Sequence, residues 1–406
     1  MTAGAPQDQL DALLAHARTI LPDVIDLRRR LHRHPELGLH LPRTQEAVCE
    51  ALADIGLTPV RGKALSSVTA TIDGAAPGPT VLLRADMDAL PQQEETGLEF
   101  ASEVAGHMHA CGHDMHTSML VGAARLLAAR TERLAGRVVL MFQPAEESDG
   151  GALHMIDEGV LTPPGGDPVE AAFALHVTTR YPSGTVHLRP GPTFAASDTL
   201  HLTVHGAGGH ASTPHLALDP IPVACEIVQA LQTMITRTVN VFDPAVLTVA
   251  RIDAGTTTNI IPETARIDGT LRTLSPEARA AVLDSLRRVV HNVAAAHGAT
   301  ATVELSEGYP PVVNDTDFAA ATTRWATAAL GTERVHRLAE PFMGAEDFSY
   351  VLEHVPGTMA FLGTRPPGQP PENAPDFHSN RVVFDEPAMA TGTALYAAVA
   401  CGHLAR

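Results

Sequence analysis

Three largely apolar segments of strand length are each followed directly by side chains that bind metals, and this pattern constrains the fold. In chain order they are residues 81–84 followed by Asp86 and Asp88, residues 138–142 followed by Glu146 and Glu147, and residues 171–175 followed by His176. Near-continuous apolar strands that alternate with helical segments are typical of a mixed or parallel sheet covered by helices. Because ligands bind such sheets at the carboxyl ends of the strands, we expect these side chains to share one site.

A second feature is the histidine-rich segment 106–116, which is followed by a helical pattern over residues 114–130. Its potential ligands are His107, His109, Cys111, His113 and His116. The glycine of Cys111-Gly-His113 lets the backbone turn tightly, so that a thiolate and an imidazole can face the same or adjacent ions. A helix N-terminus after Cys111 would also favour its thiolate form. The alternative interpretation is a buried loop without metal, in which His107, His109 and His116 are structural.

The adjacent carboxylates Glu146 and Glu147 would most often be a solvated surface pair. After an apolar strand, however, one of them can bind a metal while the other reaches the water that the metal activates. The potential ligands are Cys111, His113, Glu147, His176 and His378, types that suit zinc, manganese, cobalt or nickel. Five protein ligands fit a two-metal centre better than one tetrahedral ion, so we predict two divalent ions per subunit.

The chain has 406 residues, which favours two domains. Between residues 188 and 304 the pattern changes to alternating strands in the order strand, helix, strand, strand, helix, strand. We therefore predict a discontinuous α/β metal-binding domain over residues 1–190 and 305–406, with a mixed sheet flanked by helices. Residues 191–304 are predicted to form an inserted, smaller α+β sandwich.

Composition excludes several classes of partner. The net charge of −18 argues against binding to nucleic acid or an anionic membrane. The sequence contains no run of 18 apolar residues, so we expect no membrane span. The cysteines are widely spaced, which argues against disulfides and predicts that Cys49, Cys225 and Cys401 are buried as small apolar side chains. The N-terminus lacks the pattern of a signal peptide, so we expect a cytoplasmic protein.

Several motifs, found in order along the chain, resemble those of the aminoacylase/carboxypeptidase superfamily of metallopeptidases. They are residues 84–91 (RADMDALP), 109–116 (HACGHDMH), 143–147 (QPAEE), 208–211 (GGHA) and 343–348 (MGAEDF). More narrowly they resemble its amidohydrolase branch, which includes hippurate hydrolases and other N-acyl-amino-acid amidohydrolases and hydrolases of indole-acetyl-amino-acid conjugates. The resemblance implies a metal-dependent amidase with the five ligands above, and a lid and dimerisation role for the inserted domain.

The same resemblance implies roles for further residues. Glu146 would be the general base, and Asp88 would orient a metal ligand. In the inserted domain His210 would contribute to the substrate site of the partner subunit, while Asn259 and Arg272 would be polar substrate-binding positions. We therefore expect a homodimer formed through the inserted domain, with a small N-acyl amino acid as substrate.

One departure from the wider superfamily concerns Asp86, because peptidase branches carry a histidine ligand at that position. Here Cys111 and His113 supply ligands instead, and the group that bridges the two ions stays open. Glu346 and Asp347 would either shape the pocket or cap the following helix. Three alternative functions remain: a dipeptidase or carboxypeptidase, a catalytically silent small-molecule binder, and a redox or metal-storage protein that uses Cys111.

Overall fold

The computed structural model describes residue 10 and residues 12–405, and these fall into two compact units. The larger unit contains the chain up to Thr193, then Val313–Glu340, and then Asp347 onward. The smaller unit contains Phe194–Val312 and Pro341–Glu346. The sequence placed this insertion at residues 191–304. It extends further because strand pairing in the smaller unit continues to Glu307, opposite Asp198.

The strands are β1 (Val60–Arg61), β2 (Val68–Asp73), β3 (Ala76–Asp86), β4 (Ala135–Gln143), β5 (Ala171–Pro182), β6 (Val186–Leu188), β7 (Gly191–Phe194), β8 (Ala196–His205), β9 (Gly209–His210), β10 (Ala245–Ala254), β11 (Ile260–Ile261), β12 (Thr264–Thr273), β13 (Thr300–Glu307), β14 (Val312–Asn314), β15 (Val335–Arg337) and β16 (Gly357–Arg365). The helices are α1 (Leu13–Arg33), α2 (Pro42–Asp54), α3 (His113–Ala128), α4 (Gly151–Asp157), α5 (Pro220–Thr238), α6 (Pro276–Ala296), α7 (Thr316–Leu330), α8 (Phe348–Leu352) and α9 (Met389–His403).

The larger unit is built on an eight-stranded mixed sheet in the order β1-β2-β4-β3-β5-β16-β6-β15. Its centre, β4-β3-β5-β16, is parallel. The inner parts of β3, β4 and β5 are buried on both faces, which explains their continuous apolar runs. Helix α9 is buried on every side from Met389 to Gly402 and packs against α1, α3 and α7. The predicted α/β fold with a mixed sheet flanked by helices is confirmed.

The smaller unit is an α+β sandwich with an antiparallel sheet in the order β10-β12-β8-β13. Helices α5 and α6 pack on it, and alternate residues such as Leu200, Leu202 and Val204 on β8 are buried. Both helices start at side-chain caps: Asp219 accepts a hydrogen bond from the Ile221 amide, and Ser275 accepts one from the Ala278 amide. A proline at the first helical position reinforces each start.

Two further observations concern expectations from composition. Among the described residues, no helix is both long and apolar enough to cross a bilayer. Cys49 and Cys401 are buried as expected, but Cys225 is exposed. The prediction for Cys225 was wrong because the buried stripe of α5 runs through Val223, Ala224 and Ile227, which turns residue 225 outward.

Candidate metal centre

The turn that starts α3 brings Cys111 and His113 to the carboxyl ends of the parallel strands. Gly112, between them, has a left-handed backbone with φ of 83°. A Cβ at this position would lie 2.4 Å from Cγ2 of Val177, so that only glycine fits. The tight turn at Gly112 therefore lets both side chains face β5.

The structure brings all five predicted ligands together in overlapping groups. Within each group, the ligand atoms lie within 4.8 Å of one another. Three of the groups are Cys111 with His113 and His176, Cys111 with Glu147 and His378, and His113 with Glu146 and Glu147. Cys111 Sγ lies 3.3 Å from His176 Nε2, and Glu147 Oε1 lies 3.1 Å from His378 Nε2. Cys111 thus shares a group with each of the other four predicted ligands.

An unsatisfied polar atom shows that these residues fit a metal. Within the part of the chain that the structure describes, Nε2 of His113 is buried without a hydrogen-bond partner. Nε2 of His113 lies 4.0 Å from carboxylate oxygens of Glu146 and of Glu147. Buried polar atoms are normally paired, and a divalent cation would satisfy these nitrogen, oxygen and sulfur atoms together.

The electrostatics also favour a cation. Burial works to lower the pKa of His113, but the carboxylates of Asp86, Asp88 and Glu147 outweigh it and raise this pKa to about 10. Burial, with the charges of Glu147 and Glu146, raises the pKa of Cys111 well above its ordinary value. Burial and these charges thus oppose the thiolate that the N-terminus of α3 favours, and a bound cation would stabilise it.

The residue before the Glu146 and Glu147 carboxylates has a strained backbone. Ala145, just before them, has φ of 58°, a conformation that residues with a Cβ rarely adopt. The amides of Glu146 and Glu147 donate to Oδ1 and Oδ2 of Asp88, each at 3.0 Å. Asp88 Oδ1 also lies 3.4 Å from Nδ1 of His113. Asp88 is thus placed to orient the carboxylate pair and His113 together.

His176 lies on a strand, whereas His378 lies in a loop. His176 extends from the buried part of β5, and its Nδ1 lies 2.7 Å from the carbonyl oxygen of Val177, which leaves Nε2 toward Cys111. His378 lies in a loop with φ of 67°, and its side chain is half-exposed. One predicted ligand thus extends from the sheet, and the other is a loop residue with a left-handed backbone.

The predicted substrate residues all lie in the smaller unit. His210 and Asn259 are exposed and adjacent, since β9 pairs with β11 and the Ala211 amide donates to the Asn259 carbonyl oxygen. The His210 ring accepts a hydrogen bond from the Ser212 amide at 3.1 Å. Arg272 lies apart from them on β12 and is half-buried.

Sequence reasoning missed the importance of Arg84 and left the role of Asp347 open. Arg84 is 1 % exposed and pairs with Asp86 and Asp347, both fully buried. The signal was an arginine inside a strand that is otherwise apolar, because a buried charge requires a partner. Asp347 precedes α8 but makes no side-chain cap to it, so the capping alternative was wrong.

The fold and the groups of potential metal ligands are those expected of a metal-dependent hydrolase. Comparison with known proteins supports this class. The chain belongs to peptidase family M20/M25/M40, whose profile matches residues 82–401. Members of this family are metal-dependent hydrolases that act on amide bonds, which confirms the predicted superfamily and enzyme class.

Relatives are similar along almost their whole length. The chain is 38% identical over 397 residues to thermostable carboxypeptidase 1 of Saccharolobus solfataricus, covering 97% of this chain and 98% of that protein. It is 38% identical over 378 residues to the N-acetylcysteine deacetylase of Bacillus subtilis, covering 93% and 96%. The crystal structure of a Bacillus subtilis protein described as a dinuclear metal-binding peptidase of family M20 matches with a TM-score of 0.83 and 35% identity, covering 95% and 99%. The ligand groups together with this dinuclear relative support divalent metal ions in this chain.

Proposed function

We propose that this protein is a two-metal amidohydrolase that removes the acyl group from N-acyl amino acids. The observation that carries the proposal is the placement of Glu146, 5 % exposed, against a group of five side chains of metal-binding types, of which Cys111, His113 and His176 are buried. The full-length similarity to a deacetylase of N-acetylcysteine supports a small acylated amino acid as substrate.

The proposed ligands are Cys111, His113, Glu147, His176 and His378. Cys111 shares a group with each of the other four proposed ligands, which places its sulfur in the middle of the donor set. Divalent ions of zinc, manganese, cobalt or nickel would polarise the amide carbonyl and lower the pKa of a water.

Glu146 is proposed as the general base. Its carboxylate would take a proton from the attacking water and deliver it to the nitrogen that leaves as the amine. Asp88 keeps this carboxylate aimed, since it accepts hydrogen bonds from the amides of both Glu146 and Glu147. His113 would be held in one orientation by the same aspartate.

The smaller unit is proposed to complete the substrate site across a homodimer. His210 would donate an N–H to the oxyanion of the tetrahedral intermediate, and Asn259 and Arg272 would bind polar groups of the substrate. β10 is an edge strand of the sheet, and Val246 and Ile252 on it are exposed. Long edges with exposed apolar side chains are typical sites of strand pairing between chains, so we infer that the smaller unit carries the dimer interface.

A second candidate function, a carboxypeptidase, is favoured by the 38% identity to the thermostable carboxypeptidase. Both reactions hydrolyse an amide beside a free carboxylate, and they differ in what lies on the acyl side.

The test is a substrate panel on protein loaded with Mn²⁺, Zn²⁺ or Co²⁺. N-acetyl amino acids, hippurate and indole-acetyl amino acids represent the amidohydrolase, while dipeptides and longer peptides represent the peptidase. We expect the N-acyl amino acids to have the highest kcat/KM. A preference for free peptides would favour the carboxypeptidase, and no turnover by metal-loaded protein would identify a silent binder.

A further inference from the structure

Arg84 links three chain segments at the buried end of β3. Its Nε donates to Oε1 of Gln143 at 2.8 Å, its Nη1 to Oδ2 of Asp86 at 2.6 Å, and its Nη2 to Oδ1 of Asp347 at 2.8 Å. Each of these side chains is at most 1 % exposed. The planar guanidinium suits this bridge, because it directs several donors at once, whereas a lysine would offer a single point charge.

Asp347 ties together both ends of the loop that carries the carboxylate pair. Its oxygens accept from Nε2 of Gln143 at 2.8 and 2.7 Å, and its Oδ2 accepts from the Ala152 amide at 2.9 Å. Gln143 is the last residue of β4, and Ala152 lies in the first turn of α4. One buried carboxylate therefore fixes the start and the end of residues 144–151, which include Glu146 and Glu147.

On its other side, the bridge reaches a metal-binding strand. Asp86 lies 2.6 Å from Nδ1 of His116, and Nε2 of His116 accepts a hydrogen bond from the Val177 amide at 2.9 Å. Because Nε2 is an acceptor, the ring proton of neutral His116 is on Nδ1 and points to Asp86. Val177 directly follows the proposed ligand His176 on β5.

Stability is a poor explanation for such a bridge. Taking three charges out of water is energetically costly, and apolar replacements of buried ion pairs are often neutral or stabilising. The bridge does, however, connect the ends of the Glu146 loop with the strand of His176. We propose that Asp347 and Arg84 are positioning residues that hold the Glu146 and Glu147 carboxylates in register with the metal ligands, an inference that rests on the proposed function.

The variant that tests this inference is Asp347→Asn. Asp347 faces donors on both oxygens, and an asparagine offers only one oxygen, so that its NH₂ group must face a donor of Gln143, Ala152 or Arg84. The matched control is Asp315→Asn in the same unit, where Asp315 caps α7 by accepting from the Phe318 amide at 2.7 Å. Both changes replace one carboxylate that accepts a backbone amide, but only the first touches the bridge.

Two readouts need no substrate. Hydrogen exchange followed by mass spectrometry should show amides of residues 146–155 exchanging at least about ten-fold faster in Asp347→Asn, with β16 and α9 unchanged. Competition of metal-depleted protein with a chromophoric chelator should show Mn²⁺ binding weakened about 10- to 100-fold. The Asp315→Asn control should alter exchange only at the start of α7 and leave Mn²⁺ binding unchanged. In turnover, Asp347→Asn should lower kcat with little change in KM.

Wild-type exchange in residues 146–155 together with wild-type Mn²⁺ affinity in Asp347→Asn would overturn the proposal. Should that variant not fold, Gln143→Leu removes the neutral link to Asp347 and Arg84 without unpairing a charge, and the same two readouts decide. If wild-type protein hydrolyses no N-acyl amino acid, the proposed function fails, while exchange and metal binding still show whether the bridge positions the loop.

Discussion

The metal centre of the larger unit and the His210 region of the smaller unit are built in opposite ways. Cys111, His113 and His176 are buried. A glycine turn fixes the backbone of the first two, and a parallel strand holds His176, beside the Val177 amide that donates to His116. His210 and Asn259 are exposed and are held by a two-stranded pair with two residues in each strand. The candidate metal ligands are thus pre-organised by the fold, whereas the His210 region is free to adapt to a substrate.

The largest effect should come from removing metal from the predicted ligands of the larger unit. Chelation should abolish activity, and added Mn²⁺ or Zn²⁺ should restore it. Cys111→Ala should weaken metal binding by more than about 100-fold, because a ligand should matter at least as much as the groups that orient ligands. Metal content by elemental analysis checks this, with the exposed Cys225→Ala as control. Unchanged metal content in Cys111→Ala would remove Cys111 from the centre.

The second-largest effect should be a loss of turnover without a loss of structure. Glu146→Gln should lower kcat by about 10² to 10⁴ while keeping the metals, since the amide keeps the shape of the carboxylate but cannot accept a proton. Steady-state kinetics and metal analysis of the same sample measure both quantities. The exposed Glu132→Gln serves as control. A rate near that of the wild type would show that another group is the base.

The third effect concerns His210 in the smaller unit. His210→Ala should lower turnover by about 10² to 10³, the usual cost of losing one oxyanion donor, and should leave the fold and metals intact. The exposed neighbour His215→Ala should have no effect.

If His210 acts across a dimer, mixing His210→Ala with Glu146→Gln should restore some activity, because one site of each hybrid has both groups intact. Hybrids that form, as shown by native mass spectrometry, but stay inactive would place His210 within its own chain or outside the reaction.

The smallest effect is an acid sensitivity confined to the larger unit. His187 is 8 % exposed and stacks on Tyr181 with ring centroids 3.6 Å apart. Burial, with the neighbouring His336, lowers the pKa of His187 to about 4. Between this value and the pKa of about 6.5 in the unfolded chain, the unfolded state binds more protons, so stability falls as the pH drops through this window.

His187→Phe should keep the stacking and remove up to about 2 kcal/mol of this pH dependence. Urea unfolding at pH 4.5 and pH 7 measures it, and the exposed His354→Gln is the control. Equal losses of stability in His187→Phe and wild type would mean that other groups cause the acid sensitivity.

The features that could be predicted from the sequence are those that depend on residues close together along the chain. Helix α5 runs from Pro220 to Thr238 as predicted, because a local cap and a proline mark its start. The ligand types and the Cys-Gly-His turn were also local signals. The bridge through Arg84 was not predictable, since Asp347 lies 263 residues away along the chain. Nor did any local pattern indicate the left-handed backbone of Ala145 and His378, which tertiary contacts impose.

Helix α9 also sets an order of events during protein synthesis. The strands β3, β4 and β5 leave the ribosome long before residues 389–403, and α9 packs against β3 and β5. The sheet of the smaller unit and its two helices span residues 196–307, so that this core is complete while the larger one still waits for its central helix. Because domains fold as units during translation, the smaller unit should form the first folded core, although the chain of the larger unit is synthesised first.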